Sequence, residues 1–385
     1  MSPRPECLLV ETEEQLATLC QRLQHSTYLA LDTEFIREET YYPELCLLQI
    51  ANDDIAACID PLRISNLQPL LDLIYRPDIL KLFHAGGQDL EILFHLCGRM
   101  PTPLFDTQIA APLLGFPLQC GYAALVKSLL NIDLDKSQTR TDWRRRPLSR
   151  EQIEYAWDDV IHLLSIYSRL RDDLQQQGRL DWLDDDFAEL ANPQRLQPPL
   201  EQLWQKIHGS QRLNPSQLAV LSTLTAWREQ QARQLDVPRS RVLRDEVLLD
   251  LARLRPRDVA QLAQLRSLRD NTVRQYGATL IEQIAAASGA PPPPRPRRSA
   301  TLTLQQEALT DCLLAVTRLC AEQHRINPAL LSGRKELEQL VLGERDLDVL
   351  RGWRRRLTGD VLLAYLEGTV QLVNDGPSAL RLSTV

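Results

Sequence analysis

Four consecutive prolines lie within the stretch Gly289-Ala290-Pro291-Pro292-Pro293-Pro294-Arg295-Pro296. No helix or interior strand passes through such a run, because each proline fixes φ and removes an amide donor. The run enforces extended polyproline geometry, so residues 289–300 read as a Pro/Arg-rich linker. It cuts off residues 301–385, and few contacts are expected to cross the cut. At 385 residues the whole chain is too long for one ordinary core and suits two or three domains.

The front of the chain mixes strand and helix patterns. Leu8-Leu9-Val10 is a short apolar run, and Thr12-Glu13-Glu14-Gln15 reads as a capping box opening a helix to about Leu23. Candidate strands follow at Tyr28–Phe35, Leu45–Ala51 and Ile55–Ile59, the last two close enough to pair antiparallel. Ile79–Phe83 is a further β run, and His84-Ala85-Gly86-Gly87 turns into a helix from Gln88 to Leu96. After Phe105-Asp106-Thr107 the spacing is helical to about Leu174, broken by prolines 112, 117 and 147. Beyond Asn192-Pro193 the strand signal disappears. The predicted architecture is an α/β domain (1–195) and two small all-α domains (200–288 and 301–375), with 376–385 as a tail.

Composition narrows the class. The chain is 44% apolar and 25% charged, which is globular rather than disordered. No apolar run reaches the roughly 18 residues of a membrane span, and Met1–Val10 has no secretory core. A cytoplasmic protein without membrane attachment is expected. Eight cysteines without a C-x-x-C pair read as buried free thiols. The net charge of −7 divides into −13 over residues 1–200 and +6 over 201–385. An acidic front suits nucleic acid only if carboxylates hold cations, while the basic back suits a phosphate-bearing partner.

Three strings carry chemistry. In Leu29-Ala30-Leu31-Asp32-Thr33-Glu34-Phe35, strand alternation projects Asp32 and Glu34 from one face. Adjacent carboxylates repel, and a divalent cation is the natural partner, although a solvent-facing strand would look the same. In Phe83-His84-Ala85-Gly86-Gly87-Gln88-Asp89-Leu90, Asp89 falls in the first turn of a helix. In Tyr155-Ala156-Trp157-Asp158-Asp159-Val160, i,i+4 spacing puts Tyr155 and Asp159 on one face. Four carboxylates with no Cys or His cluster favour Mg²⁺ or Mn²⁺ over zinc. Such a set suits two ions clamping a phosphodiester for attack by water.

Asp-Thr-Glu-Phe, His-Ala-(x3)-Asp and Tyr-(x3)-Asp, in that order, resemble the three motifs of the DEDD 3′-to-5′ exonucleases, in the DEDDy branch. Resemblance to the ribonuclease D family extends over residues 6–175. It includes Arg37-Glu38-Glu39-Thr40-Tyr41-Tyr42-Pro43, Leu48-Gln49-Ile50, Asp60-Pro61-Leu62 and Phe105-Asp106-Thr107-Gln108. It continues through Leu134-Asp135-Lys136-Ser137, Asp142-Trp143 and Arg146-Pro147-Leu148-Ser149. Pro238-Arg239-Ser240-Arg241-Val242-Leu243-Arg244-Asp245 and Tyr276-Gly277 resemble the HRDC domain, and Leu331-Ser332-Gly333-Arg334-Lys335-Glu336-Leu337 resembles a weaker second copy.

The resemblance implies a ribonuclease-H-like mixed sheet followed by two HRDC-like bundles. It implies two divalent cations on Asp32, Glu34, Asp89 and Asp159, with Tyr155 orienting water. The implied activity shortens RNA, either tRNA precursors or other structured RNAs, from the 3′ end and releases 5′ nucleoside monophosphates; the implied state is a monomer. An inactive nucleic-acid-binding module and a DNA-directed exonuclease are the alternatives. An ATP-driven helicase is excluded, because the chain contains no Gly-Lys and hence no P-loop.

Further candidates are weaker. Phe35 could stack on a base or pack in the core. His84 and Gln88 flank the Asp89 turn as substrate contacts, and Lys136 and Arg146 add positive charge for phosphates. Asp106 reads as a helix N-cap. Asp184-Asp185-Asp186 reads as a solvated turn or a tether to the helical module.

Overall fold

The computed structural model describes residues 4–135, 137–138, 141–295 and 302–385. Six strands form one mixed sheet: β1 (Glu6–Val10), β2 (Tyr28–Ile36), β3 (Glu44–Ala51), β4 (Ile55–Ile59), β5 (Leu80–Phe83) and β6 (Leu104–Asp106). Their order across the sheet is β1-β4-β3-β2-β5-β6. β3 runs antiparallel to both β2 and β4, as their short connections require, and the other neighbours are parallel. A bulge between Glu34 and Phe35 interrupts the β2–β3 register.

Strand alternation assigns the two faces. Leu29, Leu31, Leu48, Ile50, Ala57 and Ile59 pack against α1 (Glu13–Leu23), α2 (Gln68–Ile74) and α3 (Gly87–Cys97). The predicted Thr12–Gln15 capping box opens α1. After α4 (Thr107–Ala110) and α5 (Tyr122–Leu130), α6 (Arg150–Gln176) crosses the opposite face, where Ala30, Ala51, Ala56 and Leu82 meet Val160, Leu163 and Tyr167. Small residues on the strands let this 27-residue helix lie close to the sheet. Asp32 and Glu34 share that face with Ala30.

α7 (Asp184–Leu190) leads to the first helical module. Its core joins α8 (Pro215–Gln234) to the Asp245–Leu254 and Asp270–Ser288 helices through Leu221, Leu224, Leu248, Leu251, Leu280 and Ile284. The module grips the loop that follows β2. Tyr41 bonds the buried Glu229, whose carboxylate also receives Nη2 of Arg239 at 2.9 Å. The backbone amides of Tyr41 and Tyr42 both donate to Asp236 at 3.0 Å. Burial pushes the Glu229 pKa up, but hydrogen bonds from Arg239 and Tyr41 and the arginine charges outweigh it and hold it at about 2.

The second module corrects two expectations. Residues 376–385 are not a tail: Leu380–Thr384 (β8) pairs antiparallel with Val370–Asn374 (β7), so the module ends in a hairpin and is not purely helical. Nor does the proline-rich segment isolate it. The module's Leu313, Val316, Leu337 and Leu362 belong to the same apolar cluster as Val160, Leu163 and Leu183. Trp353 stacks on Trp182 with centroids 4.9 Å apart. Arg354 reaches Asp186 at 3.2 Å, so one acid of the triplet contacts this second module, and the triplet opens α7 rather than forming a solvated turn. Residues 296–300 of the linker lie outside the described residues.

The expectation of a separable back part fails with it. Trp353 is 4% exposed, so Trp353→Ala is expected to lower the unfolding free energy by about 3–5 kcal/mol. Chemical denaturation of the full chain would measure it. Deleting residues 291–385 is expected to leave an aggregating front part, because Trp182 and its neighbours lose their cover; a monodisperse truncated chain would contradict this. Among the described residues no helix is long and apolar enough to cross a membrane.

Candidate active site

β2 and α6 bring the site together. Asp32, Glu34 and Asp159 each offer a carboxylate oxygen within 4.8 Å of the others'. Asp89, in the first turn of α3, is buried beside them, and its Oδ1 accepts from the Thr33 hydroxyl on the opposite face of β2. The turn into α3 needs glycine at 86, since an added Cβ would lie 2.6 Å from the Phe83 Cβ. Asp106 caps α4 as expected, and it also receives the amides of Ala85 (3.0 Å) and Gly86 (2.8 Å), which fixes the same turn.

The electrostatics are those of an uncompensated acid cluster. Burial raises the Asp32 pKa well above the usual range, and the charges of Asp89, Asp159 and Glu34 raise it further. Glu34 is pushed up to about 9 by burial and by Asp159 and Asp89. Asp159 rises to about 7 through burial, against a hydrogen bond from Tyr155. Asp89 rises to about 6 through burial, against the Thr33 hydrogen bond. Oxygen donors alone, mutually repelling and raised in pKa, fit a hard divalent cation.

Without metal, these acids hold protons more tightly folded than unfolded. Their stabilisation is complete below the unfolded values near 4 and is lost as pH rises through the folded values of about 6, 7 and 9. The metal-free chain is therefore expected to melt at progressively lower temperature from about pH 5 to about pH 9, with Mn²⁺ reversing the loss. A melting temperature that is flat or rises across this window would refute the cluster's assignment.

Beside the cluster, a cavity of about 410 Å³ is lined by Tyr122, Asp135, Glu151, Tyr155, Asp158 and Asp159, among others. That volume falls in the range of small-ligand pockets. Tyr155 lies on its wall one turn before Asp159, as the i,i+4 spacing predicts. The Tyr122 hydroxyl donates to the Asp159 carbonyl at 2.6 Å and anchors α6 at the site. Sequence reasoning missed Tyr122, which carries no local signal, and Thr33, which sits in plain view between the two acids.

The weaker candidates separate. Phe35 is half-exposed and joins none of the apolar clusters of the described residues. Gln88 is exposed on the first turn of α3. His84 is mostly buried: Nδ1 lies 2.9 Å from the Thr107 hydroxyl, and burial lowers its pKa. Arg146 is a correction. Its guanidinium binds Asp60, which is 1% exposed, and the carbonyls of Cys46 and Trp143 at 2.7 Å each, so its charge is spent inside the fold. Lys136 lies outside the described residues.

Comparison with known proteins agrees with this geometry. A 3′-5′ exonuclease family model matches residues 7–175, and an HRDC domain model matches residues 217–284. Ribonuclease D of Gluconacetobacter diazotrophicus is 40% identical over 98% of this chain and 97% of its own length. The chain belongs to the ribonuclease D family. It is accordingly a hydrolase of the 3′-5′ exoribonuclease class. Ribonuclease D of Pseudomonas paraeruginosa is 41% identical over 94% of this chain and 98% of that one. The crystal structure of Escherichia coli RNase D, described as an exoribonuclease involved in structured RNA processing, superposes with a TM-score of 0.80 at 33% identity. It covers 94% of this chain and 98% of that one. The ribonuclease-H-like sheet followed by a helical HRDC region is thus the family architecture.

Proposed function

We propose that this ribonuclease D cleaves the terminal phosphodiester of RNA with two divalent cations, Mg²⁺ or Mn²⁺, held by Asp32, Glu34, Asp89 and Asp159. The observation that carries the proposal is the approach of three carboxylates within 4.8 Å beside a pocket walled by Tyr155. Bound cations would supply Lewis acidity at the phosphate and a water acidified for attack. The chain's own groups do the positioning. Asp89 and Asp159 are set by Thr33 and Tyr122, and the Tyr155 hydroxyl stands beside Asp159 to orient a water molecule. Phe35, half-exposed at the bulge after Glu34, is suited to stack on the terminal base, and Gln88 to contact the same nucleotide.

The products are 5′ nucleoside monophosphates, and tRNA precursors or other structured RNAs are the substrates. The chain acts as a monomer in the cytoplasm. Residues 302–372 form a second HRDC-like module, a reading that rests on Leu331–Leu337 and on the module's largely helical build. The +6 charge of residues 201–385 supports RNA docking by the helical modules.

Digestion of 5′-labelled RNA and DNA with Mg²⁺, Mn²⁺ or chelator tests the reading. The expected result is an RNA ladder shortening from the 3′ end only when a cation is present. Intact RNA would favour the binding module, and equal digestion of DNA would favour the DNA-directed enzyme. Extending the assay to a tRNA precursor with a 3′ trailer, and measuring mass by sedimentation, tests substrate and oligomeric state.

A further inference from the structure

Gln49 on β3 lies directly opposite Asp32 on one side and Cys58 on the other. Directly opposed residues of an antiparallel pair share a face, with Cβ atoms about 5 Å apart. Gln49 therefore belongs to the carboxylate face, under α6. It is 0% exposed, and neither Nε2 nor Oε1 has a hydrogen-bond partner among the described residues. Buried amides with both ends unpaired are rare in native proteins.

A second unpaired group lies nearby. The Trp143 indole Nε1 is buried without a partner among the described residues. Its ring packs with Leu47 and Cys58, two of Gln49's neighbours in the sheet, and stands 6.2 Å from the Tyr155 ring. Apolar packing alone would not call for an amide at position 49, since leucine or methionine fills similar space without polar atoms. An acid there would add another negative charge to a cluster already raised in pKa by its own members. A neutral amide supplies an N–H toward Asp32 without that charge.

We infer that Gln49 is a positioning residue for the metal seat: through a water-mediated hydrogen bond it orients the Asp32 carboxylate from the sheet side. In this arrangement Gln49 Nε2 donates to the water, and the water donates to the Asp32 carboxylate. This inference rests on the proposed metal site. Groups that hold a ligand carboxylate from behind typically contribute 10–100-fold in metal affinity.

Mn²⁺ titration of the full-length wild type, Gln49→Leu, Gln49→Met and Asp32→Asn, followed by the electron paramagnetic resonance of free Mn²⁺, tests it alongside metal-free melting. The two apolar variants are expected to melt close to the wild-type temperature, because leucine and methionine fill similar volume, yet to bind Mn²⁺ about 10–100-fold more weakly. Affinity within about twofold of wild type in either folded variant, far below that range, would overturn the role. Collapse of both melting transitions would also overturn it, showing that the amide holds the sheet instead. A wild type that binds no Mn²⁺ would overturn the metal site itself. Loss of binding in Asp32→Asn alone would overturn only the assignment of Gln49.

Discussion

Asp32→Asn and Asp159→Asn are each expected to abolish hydrolysis while the chain stays folded. Both side chains sit in a cluster whose charges oppose one another, so removing one charge relieves repulsion in the metal-free protein. The same change removes a hard anionic ligand from the seat of a divalent cation. Transition-state stabilisation by such ions amounts to several kcal/mol, and each 1.36 kcal/mol is tenfold in rate, so the loss should be at least ~10³-fold. Metal-free melting temperature should rise above wild type at pH 8, where Asp89 and Asp159 have lost their protons, and Mn²⁺ should raise it less than in wild type. The combination separates this outcome from simple unfolding, which would lower both activity and melting temperature. Near-normal turnover in either purified variant would remove that residue from the site.

Which parts of the site could be read from sequence follows from the range of the signal. Asp32 and Glu34 lie two residues apart on a strand, and Tyr155 and Asp159 lie four apart on a helix, so local periodicity alone pairs them. Asp89 was legible because a β run, a glycine turn and a helix start occur in one stretch. Gln49 was not, because its role depends on a register that pairs it with Asp32, and register is not written in either strand separately. Arg146 misled for a similar reason: the last arginine of the run Arg144-Arg145-Arg146 looks free until Asp60, 86 residues earlier, is seen to hold it.

Domain contacts were the least legible layer. The loop after β2 is bound by Glu229, Asp236 and Arg239, nearly 200 residues away in sequence. No periodicity links such partners. The prolines stand between two helical segments, but a stiff linker says nothing about where the second segment docks. The β7–β8 hairpin did leave a trace. Asn374-Asp375-Gly376-Pro377 is turn chemistry, and Gly376 takes φ +95° between two short alternating runs.

Tyr155→Phe should cut turnover far more than it cuts RNA or metal binding. The ring would still fill its place beside Trp143 and along α6, so the change removes one hydroxyl without opening a large cavity. That hydroxyl hydrogen-bonds Asp159 and faces the pocket where the scissile phosphate would lie. A group that orients the attacking water acts chiefly in the transition state, so its loss lowers kcat with little change in KM where KM reports binding. The expected defect is ~10²–10⁴-fold, the usual contribution of a positioned proton-transfer group. Losing the hydrogen bond also frees Asp159 to rise further in pKa, because Tyr155 is what opposes burial there. The metal-free variant's fall in melting temperature should therefore extend to higher pH than the wild type's, a change that a packing role would not produce. Single-turnover digestion at saturating Mg²⁺, repeated across pH, isolates chemistry from product release. Turnover within about threefold of wild type, well below the range for such groups, together with a metal-free melting profile unchanged across pH would reduce Tyr155 to a packing residue. The orientation of water would then fall to the carboxylates alone.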